Sequence, residues 1–152
     1  MNLGDPLPPF DGVEWLDGNG PSVPNGVVVL VHFWSTGCPL CHEGAAAILA
    51  WRRRREDRLV SIAVFAPRLD ATAAVDIDSV RRDARDLMRV DQACALDRDR
   101  SLSARFDCLY APAYFVFDAA GALRHRQTGN DHLHALGALV ERLIKASIAS
   151  EA

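Results

Sequence analysis

The stretch that decides the fold runs Val27-Val28-Val29-Leu30-Val31-His32-Phe33-Trp34-Ser35-Thr36-Gly37-Cys38-Pro39-Leu40-Cys41. Its first part, 27–34, is β-branched and almost entirely apolar, which is typical of a central strand covered on both faces. A helix is predicted from about 38 to 55, because a proline is tolerated in the first helical turn. The stretch therefore predicts a buried strand that leads through a short turn into a helix carrying two cysteines.

Apolar runs and helical periodicity extend this pattern along the chain. Further strands are expected at 59–65, 93–96, 114–117 and 123–127, the last two as a hairpin, and further helices at 77–89, 101–106 and 131–148. Residues 1–26 are rich in proline and glycine, so we expect a packed lead-in of turns with a short strand near 13–16. The order of these elements indicates an α/β fold, a central mixed β-sheet flanked by helices on both faces.

Length and charge narrow the classes of function. The chain has 152 residues, enough for a single domain spanning 1–152. With 17 Lys and Arg against 20 Asp and Glu, it lacks the basic excess that nucleic-acid binding requires, so we expect no nucleic acid partner. The apolar runs are too short for a membrane span and the start lacks a secretory pattern. We therefore expect no membrane association, a cytoplasmic location and a monomer.

The pattern Cys38-Pro39-Leu40-Cys41 lies where the predicted helix begins, and this position is more informative than the spacing alone. A gap of two residues on the first helical turn places the two sulfurs within bridging distance. Cys38 faces the unpaired N–H groups of the helix N-terminus, which favour a thiolate, whereas Cys41 lies about one turn further in. We therefore predict a dithiol/disulfide pair in which Cys38 attacks a substrate sulfur and Cys41 resolves the mixed disulfide.

The resolving sulfur needs a proton acceptor, and His32 is the candidate. It lies in the buried strand on the approach to the pair, and an imidazole titrates near neutrality. The alternative is a core histidine that hydrogen-bonds to the backbone. His42, which directly follows Cys41, is expected at the surface or at the rim of the site.

At this point the residues carry a family resemblance. The run 29–41, the order of the elements and the Ala111-Pro112 step before the last hairpin resemble the thioredoxin-like superfamily. The lead-in and a hydrophilic insert near 70–77 are similar to the TlpA/ResA-type thiol-disulfide oxidoreductases, and to the thioredoxin-like domain that precedes NHL repeats in larger proteins. The resemblance spans about residues 10–148. It implies a thioredoxin-like fold and thiol-disulfide exchange through Cys38 and Cys41, without a cofactor.

The resemblance also implies a substrate surface around the cysteines. Pro112 is expected to follow a cis peptide bond, in a loop that presents its backbone to an extended substrate. We assign Trp34, Pro39, Ala111 and Pro112 to this surface. The expected partners are a protein or small-molecule thiol or disulfide, and an electron donor such as a thiol reductant. Thioredoxins carry a buried Asp where this chain has His32, so a base with a higher solution pKa replaces a carboxylate.

Other functions are open on the residues alone. The run Cys-Pro-Leu-Cys-His at 38–42 matches the attachment pattern for c-type haem, which would need export and an axial ligand. A zinc site would join the pair to His132 or His134, but a second close ligand pair is missing, so we predict no metal. A peroxiredoxin-type peroxidase shares the general fold, yet Val31 stands where that family places a proline. A non-enzymatic redox-sensing interaction module is a further alternative.

The two other cysteines are expected to be structural. Cys94 falls in a short apolar strand, and Cys108 lies four residues before Pro112. Buried, inert thiols are the expectation for both. For Cys108 the alternative is a third redox thiol turned toward the pair.

Overall fold

A six-stranded mixed sheet forms the centre of the computed structural model, which describes residues 1–55, 57–89 and 93–151. Its strands are β1 (Glu14–Trp15), β2 (Val28–Trp34), β3 (Leu59–Phe65), β4 (Cys94–Leu96), β5 (Ala113–Phe117) and β6 (Leu123–Thr128). They lie in the order β1-β4-β3-β2-β5-β6. β2, β3 and β4 are parallel, whereas β1, β5 and β6 pair antiparallel with their neighbours. The mixed sheet confirms the predicted fold class.

The helices are α1 (Pro39–Arg54), α2 (Ile77–Asp86), α3 (Ser101–Arg105) and α4 (Leu133–Ala149). α1 starts at Pro39, whose missing N–H has no helical partner, and it has three arginines in its last turn, where cations suit the helix dipole. α2 starts after Asp76, whose carboxylate accepts the backbone N–H groups of Asp78 and Ser79. Local signals in the sequence therefore determine where these two helices begin. Among the described residues, no helix combines the length and apolar composition needed to cross a bilayer.

Alternation along β2 divides the core into two layers. All seven residues of β2 are buried, as predicted for a strand covered on both faces. Val29, Val31 and Phe33 point toward α3 and pack with Phe106. The even-numbered residues of β2 point the other way, and the core on that face includes side chains of α1, α2 and α4. Helices therefore cover both faces of the sheet.

The proline-rich lead-in covers the α3 side of the sheet. Phe10 packs against Trp15, with ring centroids 5.8 Å apart, and both contact the core on this side. The Arg105 guanidinium donates hydrogen bonds to the carbonyl oxygens of Pro9 and Asp11, at 2.7 and 3.1 Å. The expectation of a packed lead-in with a short strand is confirmed, although that strand is reduced to β1.

The end of α2 differs from the prediction. The helix stops at Asp86 rather than at residue 89. Leu87, which the periodicity places on the apolar face with Val80, Ala84 and Met88, is exposed, because the chain leaves the helix one residue earlier. Residues 90–92, which precede the predicted strand at 93–96, lie outside the described part of the chain.

Gly44 allows α1 to approach β5 closely. A Cβ atom at this position would overlap the phenolic oxygen of Tyr114. Alanine is the better helix former by about 1 kcal/mol, but steric overlap in a packed core costs about 1 to 3 kcal/mol. We therefore expect Gly44→Ala to lower the free energy of unfolding, measured by urea denaturation. Adding Tyr114→Phe should restore part of the loss.

Ala46→Gly is the matched control, since Ala46 is exposed on the same helix. It should lose only the difference in helix propensity, about 1 kcal/mol. A Gly44→Ala variant as stable as the wild type would show that the approach of α1 to Tyr114 is not required.

Candidate active site

Cys38 and Cys41 form a disulfide at the N-terminus of α1, with their Cα atoms 5.2 Å apart. Cys38 is the N-cap residue, and its Sγ accepts a hydrogen bond from the backbone N–H of Cys41 at 3.2 Å. Cys38 is half-buried, whereas Cys41 is fully buried. The two sulfurs are therefore unequal in access to solvent, and the accessible one also accepts an N–H at the head of α1.

The accessible sulfur lies in a cleft of about 570 Å³. One wall is the loop after β3, residues 66–70, another is the loop before β5, residues 108–112, and Cys38 and Pro39 close the cleft at the head of α1. The peptide bond between Ala111 and Pro112 is cis. The structure therefore brings Cys38, Pro39, Ala111 and Pro112 together, as the sequence analysis expects.

Large apolar side chains are exposed around this cleft. Leu40, Leu69, Leu109 and Tyr110 all line it, and between 49% and 63% of each is accessible to solvent. Apolar side chains that cluster at one opening are typical of an interaction surface. Loops contribute three of the four, so the sequence pattern, which identifies buried faces of strands and helices, gave no signal for them.

Trp34 is not part of the cleft. Its side chain is fully buried and packs edge-on against Phe65, with ring centroids 5.3 Å apart. It lies in the same core cluster as Cys41. The prediction that Trp34 binds substrate is therefore wrong for direct contact, because the alternation along β2 turns the indole into the core beneath α1. We infer that Trp34 supports Cys41 by packing in the same part of the core.

His32 is buried on the face of the sheet that carries α1. Its ring stacks on that of Tyr114, with centroids 4.8 Å apart. Burial lowers the pKa of His32 to about 3, so the imidazole is neutral near pH 7. Its Nε2 atom has no hydrogen-bond partner among the described residues. A small cavity of about 30 Å³ lies between His32, Ala45 and Ser61, one helical turn beyond Cys41, and it has room for one water molecule.

A hydrogen-bonded chain connects this buried region to the cysteine motif. The Tyr114 hydroxyl donates to Oδ1 of Asn130 at 2.6 Å, and Nδ2 of Asn130 donates to the carbonyl oxygen of Leu40 at 2.8 Å. Burial raises the pKa of Tyr114, which keeps the hydroxyl protonated as a donor. Asn130 belongs to no sequence motif and lies 90 residues from Leu40 along the chain, so the sequence gives no signal for this contact.

Cys94 and Cys108 are buried and free, as expected. Burial raises the pKa of each thiol to about 11, so both are poor nucleophiles near neutral pH. Cys108 nevertheless lines the cleft that contains Cys38, and its Sγ lies 3.6 Å from the carbonyl oxygen of Tyr110. Within the described residues, no group of three or more His, Cys, Asp or Glu side chains has the arrangement of a metal site.

The other histidines lie away from the cleft. His132 and His134 are exposed at the start of α4, as expected for surface residues, and His125 is half-buried on β6 beside Gln127. His42 is only half-buried, but its Nε2 atom is inaccessible and has no hydrogen-bond partner among the described residues. None of the four lines the cleft around Cys38.

The sheet order, the Cys-x-x-C disulfide at a helix N-terminus and the facing cis-proline loop define a thioredoxin-like redox protein. No family model matches the chain. The chain is 32% identical over 147 residues to the thiol-disulfide oxidoreductase YkuV of Bacillus subtilis, covering 95% of this chain and 97% of that protein. The chain therefore belongs to the thioredoxin-like thiol-disulfide oxidoreductases.

Solved structures agree with this assignment. A thioredoxin-like protein in its oxidized form, 30% identical, matches with a TM-score of 0.80 over 96% of this chain and 99% of that one. A thiol-disulfide isomerase from Corynebacterium glutamicum, 22% identical, matches with a TM-score of 0.70 over 95% and 94% of the two chains, and it supports the fold alone. The resemblance stated from the sequence is confirmed, and the chain is a thiol-disulfide oxidoreductase.

The burial of His32 predicts an acid-sensitive fold. In the unfolded chain its pKa returns to about 6.5, so between pH 6.5 and 3 the unfolded state binds a proton that the folded state does not. The free energy of unfolding should therefore fall as the pH drops below about 6.5, by up to about 1.4 kcal/mol per pH unit. We expect His32→Leu to flatten this slope between pH 6.5 and 5, measured by urea denaturation of the oxidised protein.

His134→Gln is the control for this measurement, because His134 is exposed on α4. It should keep the wild-type slope. Equal slopes for wild type and His32→Leu would contradict the lowered pKa.

Proposed function

We propose that Cys38 is the attacking sulfur of this oxidoreductase and that Cys41 is the resolving sulfur. The observation that carries the proposal is the difference in access, since Cys38 faces the open cleft and Cys41 is fully buried. A substrate sulfur can reach Cys38 through the open cleft, whereas Cys41 is inaccessible to it. The order of the two steps follows from this difference.

The position of Cys38 also favours its thiolate. In the reduced protein the N-cap sulfur would keep the Cys41 N–H as a hydrogen-bond donor, and the positive end of the α1 dipole points at it. Such a site supplies about 1 to 2 kcal/mol, and one pKa unit corresponds to about 1.4 kcal/mol. The pKa of the Cys38 thiol in the reduced protein is therefore lowered, which raises its thiolate fraction near neutral pH.

Thiol–disulfide exchange proceeds in two steps, each of which breaks one bond between sulfurs and forms another. The Cys38 thiolate attacks one sulfur of a substrate disulfide, a mixed disulfide forms, and the other substrate sulfur leaves as a thiolate that takes a proton. Cys41 then loses its proton and attacks Cys38, which releases the second substrate thiol and leaves the Cys38–Cys41 disulfide. The substrate gains two electrons and the cysteine pair loses two. A thiol reductant restores the dithiol, and the same steps in reverse oxidise a dithiol substrate.

The walls of the cleft favour an extended polypeptide as substrate. Pro39, Ala111 and Pro112 flank Cys38, and the exposed apolar side chains around them can contact residues on either side of a substrate cysteine. Small-molecule thiols or disulfides fit the same cleft with fewer contacts.

The cytoplasmic location, the single-domain organisation and the monomeric state stay predictions from the sequence.

His32 is proposed as the proton acceptor for Cys41. It lies on the same face of the sheet as α1, its neutral imidazole has an available lone pair, and the cavity beside it has room for a water molecule. The low pKa of His32 means that it holds the proton only briefly, in the step in which the Cys41 thiolate forms nearby. The alternative, a core histidine that stacks on Tyr114, predicts an effect on stability alone.

The assignment of the two cysteines can be tested by substitution. In an insulin-reduction assay with dithiothreitol, Cys38→Ser should abolish acceleration, and Cys41→Ser should accumulate a covalent mixed disulfide visible on a non-reducing gel. Cys94→Ala, at a buried position away from the cleft, should stay active. A mixed disulfide that accumulates in Cys38→Ser instead of Cys41→Ser would contradict the assignment, and no acceleration by the wild type would favour a redox-sensing module.

The role of His32 can be tested by separating the two steps. His32→Ala should slow release from the mixed disulfide by about 10-fold to 100-fold while leaving the first attack by Cys38 unchanged, because only the second step deprotonates Cys41. Rapid mixing of the reduced protein with a disulfide peptide, quenched by acid, measures both rates. A variant that loses stability and keeps both rates would identify His32 as a structural residue.

A further inference from the structure

Arg100 lies between the two loops that form the walls of the cleft. It precedes α3 and lines the cleft, and its guanidinium is half-buried. Nη1 donates to the carbonyl oxygen of Pro67 at 2.6 Å, and Nη2 donates to those of Cys108 and Leu109, both at 3.1 Å. The first carbonyl belongs to the loop after β3 and the other two to the loop before β5. A single charged group therefore joins both walls.

Each wall accepts at least one hydrogen bond from this guanidinium. The 66–70 loop carries Leu69, and the 108–112 loop carries Leu109, Tyr110 and the cis-proline. Apart from Arg100, the cleft residues named so far belong to these loops or to the head of α1. Hydrogen bonds from a charged donor to carbonyl oxygens are stronger than neutral ones. Arg100 therefore links the two walls through charge-assisted hydrogen bonds.

The backbone conformation at Arg100 is one that glycine adopts more easily than arginine. Its φ is +62°, in the left-handed region where glycine is the usual residue. The neighbouring backbone is held by Asp97, whose carboxylate accepts the N–H groups of Leu102 and Ser103 at 2.9 and 2.8 Å. An arginine at this position places its guanidinium between the loops, whereas glycine would fit the backbone more easily and leave the loops unconnected.

We propose that Arg100 is a positioning residue that sets the width of the cleft and thereby the affinity for polypeptide substrates. This inference rests on the proposed function of Cys38 as the attacking sulfur. Arg100 acts through the loops and leaves the sulfur chemistry to the head of α1. A substrate that spans both walls depends on Arg100, and a small disulfide that contacts only Cys38 does not.

The chain offers a matched control. Arg105 makes the same kind of contact, from its guanidinium to the carbonyl oxygens of Pro9 and Asp11, but those belong to the lead-in and not to the cleft. Arg105→Ala removes a comparable set of hydrogen bonds elsewhere. Arg100→Gly removes the guanidinium and relieves the backbone at the same time, so it should fold.

The test is single turnover of the reduced protein with two substrates, a synthetic peptide containing one disulfide and hydroxyethyl disulfide. For Arg100→Gly we expect the half-saturating peptide concentration to rise by about tenfold, with the limiting rate and the rate with hydroxyethyl disulfide unchanged within about twofold. Arg100→Lys should recover part of the peptide affinity. Arg105→Ala should match the wild type. An unchanged peptide affinity in Arg100→Gly, or an equal loss with both substrates, would overturn the proposal.

Hydrogen–deuterium exchange separates this inference from the proposed function. Arg100→Gly should speed amide exchange in residues 66–70 and 108–111 and leave that of α4 unchanged. If the wild type reacts with neither disulfide substrate, the proposed function fails. The amide hydrogen exchange of the two loops then decides by itself whether Arg100 positions them. Unchanged exchange in both loops would refute the positioning role.

Discussion

The structure depends on the complete burial of β2. Helices α1, α2 and α4 cover one face of the sheet, and α3 with the lead-in covers the other, so this strand is packed on both sides. A shift of one residue would exchange its two apolar faces. Because only Ser35, Thr36 and Gly37 separate its end from Cys38, the position of β2 determines where the Cys38 sulfur lies. The packed core thus supplies the precision that the chemistry requires.

The same constraint makes the two cysteines unequal. Cys38 stands at the open end of α1 as its N-cap, and Cys41 lies one turn in, against Trp34 and Ala45 in the core. Two chemically identical side chains thereby differ in solvent access and in the amides around them. His32 is subject to the same burial, which keeps it neutral and ties its protonation to the stability of the fold.

Much of this arrangement could be predicted from the sequence, because it follows from local patterns. The apolar run of β2, Pro39 in the first helical turn and the Cys-x-x-C spacing each act within a few residues. The two errors lie at the ends of elements. Trp34 has the residue type of a binding surface, but the alternation of β2 turns it inward, and Leu87 fits the helical period but lies beyond the end of α2.

The shape of the cleft could not be predicted for a further physical reason. Arg100 and Asn130 hold the surroundings of the disulfide through backbone carbonyl oxygens, of Pro67, Cys108, Leu109 and Leu40. Every residue has a backbone carbonyl oxygen, so the type of amino acid at an accepting position does not indicate this contact. The donors, Arg100 and Asn130, are of residue types that are common on protein surfaces. When two side chains bond to each other, both residue types can be recognised in the sequence. In this cleft only the donor side chain can be recognised, because the acceptor is backbone. The Cys-x-x-C motif therefore predicts the chemistry of this site but not the width of its cleft, because the motif includes neither these donors nor the carbonyl oxygens that accept from them.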